Sequence, residues 1–142
     1  MADAPSDMGQ LYPTPAVEEW FVGQAKPNPV REKSFDFALE IIKVSRVLVK
    51  DNEYVISKQL MRSGTAIGAL IEEAIGAESR RDFLHKMSMA HKEAREAHYW
   101  LRLLDASDLL PDEKLADNIA NVDELVRLLT AITRSVKETT TR

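Results

Sequence analysis

The chain has 142 residues, no cysteine, and 23 acidic against 19 basic side chains, for a formal net charge of −4 and a pI near 5.4. That length suits one domain with a real core, and the acidic balance excludes a generally basic nucleic-acid coat while leaving room for a local basic face. Without thiols there is no disulfide framework and no thiolate metal site, as expected of a protein kept in a reducing cytoplasm.

Residues 1–30 hold five of the six prolines, Pro5, Pro13, Pro15, Pro27 and Pro29, and no helical period survives among them. This stretch reads as an N-terminal extension without a basic region followed by an apolar core, so no secretory leader is expected. Leu11 and Tyr12, then Val17, Trp20, Phe21 and Val22, give it two apolar clusters. It is either flexible or docks residues 16–22 on a groove of its own or a neighbouring subunit, with Trp20 and Phe21 as anchors.

A first helix is expected over residues 32–50, with Phe35, Ala38, Leu39, Ile42, Leu48 and Val49 on its apolar face and Lys33, Lys43, Arg46 and Lys50 mostly away from it. Asp51 and Asn52 break the period and suit a helix stop and a new cap. The second helix follows over residues 53–75, carrying Ile56, Leu60, Ile67, Ile71 and Ala74 inward. Gly64 and Gly68 lie four apart on one of its faces. Glycine inside a helix costs about 1 kcal/mol relative to alanine, so the pair predicts a close approach by another backbone, expected to be the third helix. Arg62, Glu72 and Glu73 flank the apolar part, which is far too short to span a membrane.

Gly76 supplies the end of the second helix, and Ser79 followed by Asp82 supplies the start of the third. From there to Leu104, Phe83, Met87, Ala90, Ala94, Ala97, Leu101 and Leu104 repeat with alternating four-three spacing. Such spacing keeps side chains on one stripe, and the three central alanines predict the inner wall of a tightly packed bundle. Residues 105–112, with Ser107 and Pro111, should turn the chain, Pro111 fitting a first-turn position where its missing N–H costs nothing. Leu115, Ile119, Val122, Val126, Leu129 and Val136 form a fourth helix whose pattern lapses at Thr133, and residues 139–142 should fray. Four long helices with short links predict an all-α, antiparallel up-and-down four-helix bundle over residues 31–138.

Residues 59–74, QLMRSGTAIGALIEEA, and residues 77–104, AESRRDFLHKMSMAHKEAREAHYWLRLL, resemble the 23S rRNA-intervening-sequence proteins. The similarity spans residues 29–138, is strongest in the second and third helices, and does not reach the proline-rich extension. It implies a compact bundle assembled as a ring-like homopentamer with no enzymatic activity. A related branch, the accessory proteins of diversity-generating retroelements, shares that pentameric barrel and binds a reverse transcriptase and nucleic acid. Ala66 and Leu70 stand where relatives often have serine and asparagine, so any polar contact made there is lost.

On the outward side of the third helix, Arg81, Arg95 and Arg102 recur at multiples of seven, with His85, Lys92 and Tyr99 beside them. Clustered cations suit phosphates and a tyrosine offers a stacking platform for an unpaired base, so this stripe is the candidate site for RNA or an acidic protein partner. Lys43, Arg46 and Lys50 would extend it if the first helix lay alongside; a solvated face paired with Glu96 is the ordinary alternative. His91 with His98, and Asp82 with His85, have spacings that allow chelation, yet no glutamate stands three residues before a histidine as a di-iron bundle requires, so no metal or other cofactor is expected. No nucleophile elbow or phosphate loop is present, and neither an enzyme nor a small-molecule substrate is expected. Leu84, Met89, Trp100, Leu103, Leu125, Leu128 and Ile132 fall off the seams, more than one four-helix core readily buries. Trp100 and Leu103, with Trp20 and Phe21, are therefore the candidate oligomer contacts.

Overall fold

In a computed structural model that describes residues 28–110 and 113–140, four helices follow one another: α1 Pro29–Lys50, α2 Tyr54–Ile75, α3 Arg80–Ser107 and α4 Glu113–Thr140. No strand occurs among the described residues. Trp20, Phe21 and Pro111 lie outside the described residues, as does the rest of the extension before Asn28.

Local chemistry sets the helix ends. Asn28 caps α1 by accepting the Arg31 amide at 3.2 Å, and Pro29 occupies the first turn. The helix thus starts before the expected Glu32, because a proline in the first turn ends no helical hydrogen bond. Asn52 is left-handed at φ 62°, and the Asn52 and Glu53 amides return to the Val49 and Leu48 carbonyls at 3.0 and 2.9 Å. That is a Schellman closure with asparagine in the position glycine usually fills. The Ser79 hydroxyl accepts the Asp82 amide at 3.0 Å, as its spacing predicts. At the far end α3 continues through Ser107, beyond Leu104, and stops at left-handed Asp108.

Neighbouring helices meet in order, α1 on α2, α2 on α3 and α3 on α4, with α1 closing more sparingly on α4. All seven seam residues of α3 are fully buried. In α2 Leu60, Ile67, Ile71 and Ala74 are buried as expected while Ile56 is only partly so, and Leu70 joins the core. Leu125, Leu128 and Ile132 of α4 are also buried, so the core of this single chain takes residues that the sequence pattern makes surplus. Thr133 does not interrupt the α4 stripe: it is buried, and its hydroxyl donates to the Leu129 carbonyl at 2.9 Å. The final helix persists to Thr140 rather than fraying at Thr139.

The apolar face expected of α1 is turned the wrong way. Phe35 is 64% exposed and Leu39 and Val49 are each 46% exposed, leaving only Leu48 of that set in the core. The true inner face carries Val30, Phe37, Ile41 and Val44 together with the buried Ser34 and Ser45. Ser34 and Ile41 face α2 where it passes close by at its glycines, and Ser45 faces it at Ser57. A Cβ added to Gly64 would stand 2.8 Å from Ile41 Cγ2, and one on Gly68 would meet Ser34 Oγ at 3.4 Å. The glycines therefore admit α1, and not the alanine seam of α3.

The two glycines differ in a measurable way. Ile41 is β-branched and stiff at the atoms that a Gly64 methyl would strike, so Gly64→Ala is expected to lower stability in urea unfolding by about 1 kcal/mol or more, overpacking outweighing the gain in helix propensity. Gly68→Ala meets only ordinary contact and should raise stability by up to about 1 kcal/mol. Equal effects from the two substitutions would contradict this packing.

A candidate nucleic-acid interface on the third helix

With Phe83, Ala90, Ala94 and Ala97 fixed against the core, the helical rotation of α3 decides what faces water. Arg81, His85, Lys92, Arg95, Tyr99 and Arg102 all fall within an arc of about 100° on the opposite side, and all six are exposed. Among the described residues, Arg81, Lys92, Arg95 and Arg102 form no ion pair. Their expected partner, Glu96, is engaged elsewhere. Arg62 of α2 reaches across to Glu96 and also holds Glu93 at 3.1 Å. The Trp100 indole N–H donates to Glu96 at 3.0 Å. That indole bond first, and the Arg62 guanidinium with it, holds the Glu96 carboxyl below the usual carboxylate range. Lys86 likewise pairs with Glu73 of α2 at 2.8 Å. Glu93 and Glu96 of α3 and Glu73 of α2 are thus gathered on the α2 side of α3, and the stripe is left with its cations.

Tyr99 is 48% exposed and packs edge-on against Trp100, with ring centroids 5.1 Å apart and planes at 69°. With about half of its surface open to solvent, the phenol ring is accessible to a stacking partner. Trp100 itself is half-buried against the core, whereas Leu103 and Met89 beside the stripe are more exposed. The cations of α1 do not extend the site: α1 packs on α2 and α4, so Lys43, Arg46 and Lys50 sit away from α3. Long-range pairing through Arg62 escaped the sequence, where the only signal was the spacing of Glu93 and Glu96 on one flank.

The histidines separate. His85 is exposed on the stripe, His98 is half-buried, and His91 turns toward α4, where its Nε2 and Thr130 Oγ1 are 3.0 Å apart. Asp82 is occupied at the α3 N-terminus, where its Oδ2 accepts the Glu78 amide at 3.4 Å. Among the described residues, no three histidine or carboxylate side chains gather as metal ligands. Burial, followed by the positive charges of Arg95 and Lys137, holds the His91 imidazole below its ordinary value of 6.5. The folded chain therefore takes up this proton less readily than the unfolded chain. Its contribution to stability is intact above about pH 6.5 and is lost as the pH falls below it. His91→Gln, which keeps a partner for Thr130, should show a shallower loss of stability than the parent chain in urea titrations taken from about pH 7 down to pH 5. Parallel curves would contradict that assignment.

Comparison with known proteins places this geometry. Residues 26–131 match the family model of the 23S rRNA-intervening sequence protein. A crystal structure from Bacteroides thetaiotaomicron, of a protein with unknown function from the S23 ribosomal protein family, is 42% identical. It superposes with a TM-score of 0.72 over 75% of this chain and 96% of that one. No curated protein matches the chain. The four-helix bundle, its buried seam on α3 and a family match that runs from just before α1 well into α4 lead to one assignment: the chain belongs to the 23S rRNA-intervening sequence protein family.

Proposed function

We propose that this protein is a non-enzymatic cytoplasmic adaptor, an antiparallel up-and-down bundle assembled as a ring-like homopentamer, that engages an RNA partner through the outer face of α3. The observation carrying this reading is the set of cations on α3 that lack an ion pair among the described residues, flanking an exposed Tyr99 and opposed to the buried alanine seam. A strip of this kind offers phosphates several cations at once and a base one aromatic face. The antiparallel arrangement is supported by contacts that descend one helix as they climb the next: Ile41 meets Gly64 and Ser34 meets Gly68, while Arg62 pairs with Glu93 and Glu73 with Lys86. A non-enzymatic role is supported by where the hydroxyls go: Ser63, Thr65 and Thr133 each donate to a carbonyl of their own helix, and Thr130, which does stand beside His91, also donates its proton to a carbonyl of its own helix, that of Val126, at 2.8 Å. No described helix is long and apolar enough to cross a membrane. The family name points to ribosomal RNA as the first nucleic acid to try.

A second reading is favoured by Met89 and Leu103, exposed apolar side chains bordering the cations. On that reading the same face recruits a protein, a reverse transcriptase among the candidates, and Trp100 and Leu103 seat either that partner or the next protomer.

A mobility-shift assay with a structured ribosomal RNA fragment separates the two. Binding at low salt should weaken steeply as salt is raised, and Arg95→Glu with Arg102→Glu should cut affinity at least about tenfold and reduce the salt slope by about one for each lost phosphate contact. No shift at low salt removes the RNA reading. Light scattering should return five times the 16.0 kDa chain mass; a monomer removes the ring.

A further inference from the structure

Another surface lies on the opposite side of the bundle and owes nothing to the RNA reading. Phe35, Leu39, Ile42 and Val49 follow one another along the outer face of α1 at helical-seam spacing, with Phe35 64% exposed and Leu39 and Val49 46% exposed. Three successive seam positions, Phe35, Leu39 and Ile42, are apolar before Arg46 takes the next, which is more apolar surface than a helix facing only water carries on that side. Beside Leu39 the weak closure between α1 and α4 leaves a cleft of about 360 Å³, lined by Phe37, Leu39, Lys43 and Asn121 among others. Between Ile42 and Val49 the seam position is Arg46, exposed and without an ion pair among the described residues.

We propose that residues 17–22 of the same chain, Val17-Glu18-Glu19-Trp20-Phe21-Val22, dock on this stripe, Trp20 and Phe21 covering Phe35, Leu39 and Ile42 while Glu18 and Glu19 meet Arg46. Chain length fits that register. Phe21 stands seven residues before Asn28, a span of up to about 24 Å, and Leu39 lies roughly 16 Å along the helix from Asn28 at 1.5 Å per residue. Glu18 and Glu19 reach up to about 30 Å or slightly more, against roughly 27 Å for Arg46. The order of chemistry also matches: going backward from Asn28 the segment presents apolar residues and then acids, as α1 going forward presents apolar residues and then a base. The stripe lies directly downstream of the segment, so its local concentration there exceeds that of any separate chain.

The chain contains no cysteine, so a pair can be introduced cleanly into the full-length protein. In Phe21→Cys with Leu39→Cys, mild oxidation should form a disulfide several-fold faster than in Phe21→Cys with Lys92→Cys, whose second site is on α3. The product should run as a single crosslinked chain on a non-reducing gel, and Arg46→Glu should slow the reaction. Leu39 is a surface position, so the bundle core is untouched by the substitution. A crosslinking rate no better than the control overturns the proposal. So does a product made mainly of chains linked to one another, which would assign the stripe to a second copy.

Discussion

The contact of Ile41 with Gly64 fixes more of this molecule than any other. Because Ile41 fills the space that a side chain on α2 would need, α1 has one rotation available at that height. Ser34, Phe37, Val44 and Ser45 are carried inward with it, and Phe35, Leu39 and Val49 are carried out. Glycine costs helix propensity at Gly64 and returns it as backbone proximity. That fit turns the apolar stripe of Phe35, Leu39 and Val49 to the outer surface of α1.

Polar groups inside the bundle are handled by the same closeness. Ser57 of α2 donates to the Ser45 carbonyl of α1 at 3.2 Å, a bond that crosses between helices only where two backbones run near each other. Ser34, Ser63 and Thr133 instead donate back to carbonyls one turn earlier, which satisfies a buried hydroxyl without a partner from another helix. Ser45 Oγ and Asn118 Nδ2 have no hydrogen-bond partner among the described residues. Each lowers the stability of a core that is otherwise aliphatic and alanine-rich.

On α3 the division of labour is between the core and the two flanks. The alanines hold the helix against its neighbours, and on the flank toward α2 Glu93 and Glu96 are held by Arg62 of α2 while Lys86 of α3 holds Glu73 of α2. Arg31 ties Glu72 of α2 to the start of α1 at 2.6 Å. Exposed pairs of this kind add little stability individually, and their consequence here is spatial: acids that would neutralise the outer cations are drawn aside, so a chain that is acidic overall still presents a positive strip.

By itself the sequence determined the helices, their caps at Ser79 and Gly76, the α3 seam residue by residue, and the positions of the exposed cations. Those features depend on local hydrogen bonding and on one helical period that no other signal contradicts, and residues 59–104 are distinctive enough to carry the family resemblance. The rotation of α1, the partner of Gly64 and the destination of Glu96 were decided only in three dimensions. Helix α1 has apolar residues on both faces and serines between them, so its period fits two phases equally well. Choosing one requires knowing that Gly64 of α2 leaves room for Ile41, a fact about two segments that meet only after folding.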